Sequence, residues 1–431
     1  MNVIYDVSRL ATRSLNITPN GIDWIDALLA NHFLSDPDSP SYSLLFGFRG
    51  PRLFAPGKLP SPVPRLDRAW GRDSTAVHSS LPDWLAAALQ GANSTERARL
   101  VADSVLQVQA RRAANISHSL RTYLFAVGSA PLQAAPHGAV YLNAAHFPLE
   151  QERHVVWLES RRDIKPVIVV HDLLPILQPQ VFWTKEPARH ARRLAFLARR
   201  GAGAIVTSQI VADALDEHLT RIGRRGLPIL KAAPPVVPMF RRAMAGDPRL
   251  KGVTYFVACG TIEPRKNHML LIEIWRRLVA RHGSNTPKLL IVGKRGWHYE
   301  QIVRAMHDPT LQGSIIEASG LSTGAYRTAL AGACALLSPS FAEGFGLPLA
   351  EALAAGTPAI ASDIPSHREQ GGQAPLYIDP TRVEDWADAI ADYSATGSRA
   401  RQEALARMAS CQPIDPDEYT ASVACFMRAL G

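Results

Sequence analysis

The sequence predicts an α/β protein of two doubly wound, parallel-sheet (Rossmann-like) domains, and three observations predict it. Short apolar runs recur, each followed by helical periodicity: NVIYDV, AVYLNA, KPVIVVHD, GAIVTS, YFVACG, KLLIVG, SIIEAS, ALLSPS and PAIASD. Strands that alternate with helices build a parallel sheet covered on both faces. At 431 residues the chain is too long for one ordinary core. The rhythm breaks at the proline-rich KAAPPVVPMF, residues 231–240, and strands resume at YFVACG. Domains are therefore expected at 1–240 and 250–431, leaving open that the last helix, about 415–431, returns to the first. Residues 52–80, rich in Pro, Arg and Ser, read as an irregular excursion of the first domain.

Composition narrows the class. Hydrophobic residues make up 47% and charged residues 20%, a globular balance without a disordered or fibrous signature. The four cysteines contain no C-x-x-C pair, so neither a disulfide framework nor a zinc site is expected. Asp6 interrupts any signal-peptide core, and no apolar run reaches the roughly 18 residues of a membrane span. A cytoplasmic, soluble chain is expected. The net charge of +9 has a local source in RHARRLAFLARR, residues 189–200, with five arginines and no acid. As a helix it places Arg189, Arg193 and Arg200 along one side, with Leu194, Phe196 and Leu197 turned elsewhere. A solvated face is the plain reading and an anionic membrane surface the functional one. Nucleic acid is not expected as a partner, because no aromatic residues interleave with the arginines.

The chemistry concentrates in the second half. SPSFAEGFGLPLAEALAAG sets Glu343 and Glu351 around Gly344, Gly346 and Pro348, between two strand runs. The stretch reads as strand, tight loop, helix from about Pro348 to Ala355, glycine stop and strand. That is a parallel βαβ step, and ligands collect at the carboxyl ends of such strands. In CGTIEPRKNHMLLIEIW a strand ends at Gly260, and Arg265 and Lys266 precede a helix beginning near Asn267. Phosphate oxygens are favoured there by charge and by free amides. LLIVGKRGW repeats the arrangement with Gly293, Lys294 and Arg295. The glycines let backbone amides approach a ligand. Carboxylates accept from sugar hydroxyls but repel a diphosphate, so the cations take the phosphates and the glutamates the sugar and ribose. These parts describe a nucleotide-sugar site.

GTIEPRKN, followed about 75 residues later by PSFAEGFGLPLAEALAAGTPAIASD, resembles the retaining glycosyltransferases of the GT-B fold with the E-x7-E motif, family four of the sequence classification. The likeness covers nearly all of the second domain. It implies two domains facing a cleft, the donor mainly on the second. It implies Glu343 on donor-sugar hydroxyls, Glu351 on the ribose, and Lys266 and Arg265 on the diphosphate. Amides of the Gly344, Phe345, Gly346 and Leu347 loop would help, with Gly260, Thr261, Gly293 and Lys294 lining the donor. More loosely, NGIDW resembles the family's glycine loop, where the Gly21 amide would meet the diphosphate, and KPVIVVHDLLP its segment whose histidine, here His171, lies against the donor sugar. Many relatives place arginine where Thr261 stands and a basic residue where Trp24 stands. The resemblance also implies front-face transfer, the leaving phosphate taking the acceptor proton.

HDLLPILQP and GTIEPRKNH look most like bacterial mannosyltransferases of surface-polysaccharide assembly. The expected activity is transfer of a hexose, mannose from GDP-mannose first and a UDP-hexose such as UDP-glucose second. The acceptor would be a hydroxyl of a glycan or lipid-linked oligosaccharide, reached at the inner face of the membrane. No cofactor is expected and, with no Asp-x-Asp or His/Asp cluster, no metal. Three rivals remain. Gly320-Leu321-Ser322-Thr323-Gly324 matches the G-x-S-x-G elbow of a serine hydrolase, with His367 as its histidine; a helix cap at Ser322 or Thr323 is the plain alternative. A non-catalytic sugar-nucleotide binding protein is the second rival. A sugar-nucleotide epimerase would need an acid and histidine cluster that the sequence does not assemble.

Overall fold

The computed structural model describes residues 1–431 except 14–19, 36–40, 48–49, 60, 70–79, 92–126, 243, 312, 410 and 431. Its strands are β1 (Val3–Asp6), β2 (Tyr42–Gly47), β3 (Gly50–Phe54), β4 (Val140–Asn143), β5 (Lys165–Val170), β6 (Gly203–Val206), β7 (Ile229–Lys231), β8 (Tyr255–Cys259), β9 (Lys288–Val292), β10 (Ile315–Ala318), β11 (Leu336–Ser338), β12 (Ala359–Ser362) and β13 (Leu376–Ile378). The chain forms two compact units. One comprises Met1–Trp70, Ala110–Pro235 and Ile414–Gly431; the other comprises Gly71–Gln109 and Val236–Pro413.

The first unit holds the sheet β3-β2-β1-β4-β5-β6-β7, parallel except for the antiparallel pair β2–β3. β1 is buried along its whole length, with Val3 and Tyr5 in one core layer and Ile4 in the other. That is the double burial expected of a parallel central strand. The last helix, Pro416–Leu430, places Tyr419, Val423 and Met427 in the first of those layers, and Lys165 Nζ donates to the Leu430 carbonyl at 2.6 Å. Within residues 52–80, β3 pairs with β2 and Val63–Ala69 is helical, while residues 60 and 70–79 of this stretch lie outside the described residues. The described stretch 80–91, expected in the first domain, joins the second unit instead. Asp247 accepts from the Leu81 amide, and Arg249 pairs with Asp83 and bonds the Leu81 carbonyl.

The second unit holds the all-parallel sheet β10-β9-β8-β11-β12-β13. The order turns at β8, which has β9 on one side and β11 on the other, so the strand direction of winding reverses between β8 and β11. The helix after β8, His268–His282, buries Leu271, Ile274, Trp275 and Leu278 on one face. Trp275 is wholly buried, stands edge-on to Phe256 of β8 at 6.1 Å and donates to the Pro287 carbonyl. Burying an indole of that size contributes on the order of 3 kcal/mol, which fixes where this helix begins. The loop ahead of it, residues 260–267, is thereby held at the switch point.

The arginine-rich segment is the helix Glu186–Arg200, with Glu186 in its first turn and Arg199 and Arg200 in its last, as the helix dipole favours. The expected unpaired cationic side is not what the fold makes of it. Arg189 and Arg193 both pair with Glu150, and Arg193 also with Glu186. Arg199 and Arg200 reach Glu159, and Arg200 additionally donates to the Leu158 carbonyl. Four of the five arginines thus have acidic partners inside the first unit, and three acids offset part of the charge that an anionic surface would need. Among the described residues no helix is long and apolar enough to cross a membrane.

Candidate functional site

In the second unit the site is built on the carboxyl ends of β8, β9 and β11. Gly293 follows β9, and a Cβ there would lie 1.8 Å from the Gly260 carbonyl, so only glycine lets the two strand ends converge. Gly260, at φ +142°, turns the chain beneath the Lys266 stem; its own Cβ would sit 2.9 Å from Lys266 Cε. Thr261, where many relatives place a cation, directs its methyl at Gly296 and supplies no charge. Lys294 is exposed, and its carbonyl accepts from the Ile262 amide. Arg295 leaves the site altogether in a two-pronged pair with Glu317.

Arg265 and Lys266 occupy the short turn Pro264–Lys266, and Glu343 stands just past β11. They lie 77 and 78 positions apart in the chain yet touch, because β8 and β11 are neighbours. Lys266 Nζ is 2.5 Å from Glu343 Oε1, and Arg265 Nη1 is 2.9 Å from Oε2. Ser340 Oγ donates to Glu343 Oε1 at 2.6 Å. Arg265 is itself gripped by Glu263, which accepts from Nε and Nη2, and by the Ala342 carbonyl, which accepts from Nη1. The glutamate side chain is only 7% exposed. Burial alone would raise its carboxyl, but Lys266 and Arg265 outweigh burial and hold it well below the usual range. Glu343 is therefore ionised throughout the physiological range.

Glu351 is treated in the opposite way. It lies on the helix Leu347–Ala354, opened by Gly346 at φ +88°, where a Cβ would press on the His367 ring at 3.2 Å. No cation pairs with Glu351 among the described residues, and burial pushes its carboxyl up to about 8. Its charge is felt by Cys259 at the end of β8, whose thiol burial pushes up to about 12. Gly344 and Phe345 complete the loop, both partly exposed, and Leu347 begins the helix. Two carboxyl groups eight residues apart thus sit in two states, one clamped by cations and one half-buried with no cation paired to it among the described residues.

That difference has a thermodynamic signature. Between about 4.5 and 8 the unfolded chain releases the Glu351 proton that the folded chain retains, so stability falls as pH rises through this window. Glu351→Gln removes that loss. The variant is expected to be more stable than the parent at pH 8 by on the order of 1 kcal/mol and equal to it near pH 4, in thermal melts across the range. Its affinity for a nucleotide sugar should fall by roughly tenfold. A variant that melts with the parent's pH profile would remove the desolvated carboxylate from the account.

His367, considered in the sequence only as a hydrolase residue, belongs to this site. Its Nδ1 donates to the Ser362 carbonyl at 3.0 Å, and Nε2 lies 3.3 Å from Ser338 Oγ. Burial lowers its pKa although the Glu343 charge opposes this. Ser322 makes neither contact with it; its Oγ accepts from the Ala325 amide and caps the helix Thr323–Gly332. The hydrolase elbow is thereby corrected to a helix cap. Glu263 and Ser340 were also missed, although each lies inside a quoted motif. Their signal was a polar residue two or three positions before a charged one, too common to stand out.

The first unit contributes a separate carboxyl edge, described by itself. His171 directly follows β5 and donates from Nε2 to the Ala144 carbonyl at 2.7 Å. Burial lowers its pKa to about 4, so the ring is neutral and its Nδ1 is an acceptor at pH 7. Gly21 opens the helix Gly21–Ser35, where Asn20 and Asp23 exchange side-chain and amide bonds in a reciprocal cap. Trp24 is buried and donates to the Pro235 carbonyl at 2.7 Å, so its departure from a basic residue ties this helix to the proline-rich segment. Asp6, at the end of β1, accepts from Tyr141, Asn143 and His154. Among the described residues no group of His, Cys, Asp and Glu could hold a metal ion.

Two parallel-sheet α/β units, one carrying clamped cations at its strand switch point, define the class: the fold is that of the GT-B glycosyltransferases. HepE of Anabaena in complex with UDP and glucose shares it with a TM-score of 0.59 at 14% identity, over 100% of each chain. Residues 253–395 match the family described as Glycosyl transferases group 1. The serotype-specific mannosyltransferase WbdA of Escherichia coli is 29% identical over 243 residues, covering 53% of this chain and 29% of its own length. The O-antigen chain mannosyltransferase RfbU of Salmonella typhimurium is 25% identical over 228 residues, covering 52% of this chain and 59% of its own. The chain thus spans under two thirds of the length of these curated relatives.

Proposed function

We propose that the protein is a retaining, metal-independent hexosyltransferase that moves mannose from GDP-mannose to a hydroxyl of a glycan or lipid-linked oligosaccharide in surface-polysaccharide assembly. The observation that carries the reading is the ionised Glu343 held beside two cations where the winding of the second sheet reverses. The names of the mannosyltransferase relatives support the sugar. Lys266 and the amides that open the helix Leu347–Ala354 receive the diphosphate, Glu351 the ribose hydroxyls and Glu343 the hexose hydroxyls. The bond from the anomeric carbon to the leaving phosphate oxygen breaks as the bond to the acceptor oxygen forms. The acceptor proton passes to that phosphate oxygen, and nucleoside diphosphate departs. Lys266 stabilises the growing charge, a task that a divalent metal performs in other sites.

A thermal-shift panel of GDP, UDP, ADP and their sugars identifies the donor, followed by release of nucleoside diphosphate with and without chelator. GDP-mannose is expected to give the largest shift, and turnover is expected to survive EDTA. A larger shift with a UDP-hexose would move the donor assignment. Turnover abolished by the chelator and restored by magnesium or manganese would overturn the metal-independent reading.

A further inference from the structure

The charge arithmetic of the site gives Glu343 a second task, which rests on the nucleotide-sugar reading above. Arg265 and Lys266 carry two positive charges, and Glu263 and Glu343 return two negative ones. Arg265 is committed on all three of its nitrogens: Nε and Nη2 to Glu263, Nη1 to the Ala342 carbonyl and to Glu343. Four of its five N–H groups are engaged in holding Glu263 and the loop that presents Glu343. Lys266 has Glu343 as its acceptor, at 2.5 Å, on a side chain 11% exposed. The cation best placed for a phosphate is thus already neutralised by the carboxylate expected to hold the sugar.

We propose that Glu343 is an internal counter-ion in the free protein, occupying Lys266 until a diphosphate displaces it, and that this exchange is what delivers the carboxylate to the sugar. A dianionic group cannot share Lys266 with a carboxylate held rigidly beside it, since like charges in a water-poor site repel strongly. Arg265 stays in place as the positioning residue. It is fixed by Glu263, and through the Ala342 carbonyl it keeps the Glu343 loop within reach. Nucleoside diphosphate binding therefore includes the work of breaking the Lys266–Glu343 pair. Binding of the whole donor recovers that work through the sugar hydroxyls that the freed carboxylate accepts from. The device makes the protein prefer intact donor over spent nucleotide and favours product release.

The test separates this inference from the reading beneath it. GDP and UDP, without sugar, are titrated calorimetrically into the parent, Glu343→Gln and Lys266→Ala. Glu343→Gln is expected to bind nucleoside diphosphate at least about fivefold more tightly than the parent, and Lys266→Ala more weakly. Unchanged or weaker binding by Glu343→Gln, with clear binding by the parent, overturns the counter-ion role while the donor site stands. Nucleotide affinity absent from the parent and all variants removes both together. Should Glu343→Gln fail to fold, Ser340→Ala serves in its place. It deletes the hydroxyl that holds Oε1 and should also tighten nucleotide binding, by a smaller factor; a loss of affinity there counts against the exchange. Pyrophosphate should raise the melting temperature of Glu343→Gln more than that of the parent, and an equal rise would count against it.

Discussion

Glu343→Gln is expected to lower kcat by about 10²-fold or more with the cognate donor, measured as nucleoside diphosphate released against acceptor. A charge-assisted hydrogen bond to a sugar hydroxyl strengthens as the anomeric carbon becomes electron-poor, so its loss falls on the transition state more than on the ground state. In the free protein two partly buried cations and Ser340 already engage the carboxylate. Removing one member of a buried ion pair leaves an uncompensated charge, at a cost of about 3 kcal/mol. A lower melting temperature should therefore accompany the lower kcat. A variant with parental kcat at saturating donor would take Glu343 out of the reaction.

Lys266→Ala is expected to reduce kcat/KM by roughly 10²- to 10³-fold, because Arg265, the other cation paired with Glu343, already holds Glu263 and the Ala342 carbonyl and cannot fully replace a lysine at the leaving diphosphate. Its stability should also acquire a pH dependence of defined sign. In the parent, the depressed Glu343 carboxyl contributes stability above its unfolded value near 4.5, and this is lost as pH falls through the lower folded value. In the variant the burial that raises the carboxyl is opposed by Arg265 and His367 without Lys266, so that contribution shrinks. The difference in melting temperature between parent and variant should be widest near pH 7 and narrow only as pH falls well below the unfolded value near 4.5. A difference independent of pH would mean that Lys266 stabilises the fold through its stem and not through Glu343.

Every strand that the apolar runs announced is present, because each is a buried parallel strand and such strands need continuous apolar sequence. The strands that went unread, β2, β3, β7 and β13, are shorter or lie toward the sheet edges, where GPRLF or ILK can serve without an apolar run. The glycine and glutamate loop was legible for a related reason. Backbone excludes any side chain at Gly293, and Gly260 and Gly346 hold positive φ angles that favour glycine, and such positions leave a mark in the sequence.

What the sequence by itself determined was the inventory: two α/β units, a polar loop with Arg265 and Lys266 behind one strand, and Glu343 and Glu351 behind another. Residue type and periodicity carry that information locally. Which charge meets which was decided only by the tertiary structure. The neighbouring of β8 and β11 brings Lys266 onto Glu343 across 77 positions, while Glu351, a helical turn or two further on, is left desolvated. In the first unit the acids Glu150 and Glu159, which lie on another segment, neutralise arginines that the linear sequence presents as free. Coulomb energy depends on distance and on exclusion of water, and neither is written in the order of residues along the chain.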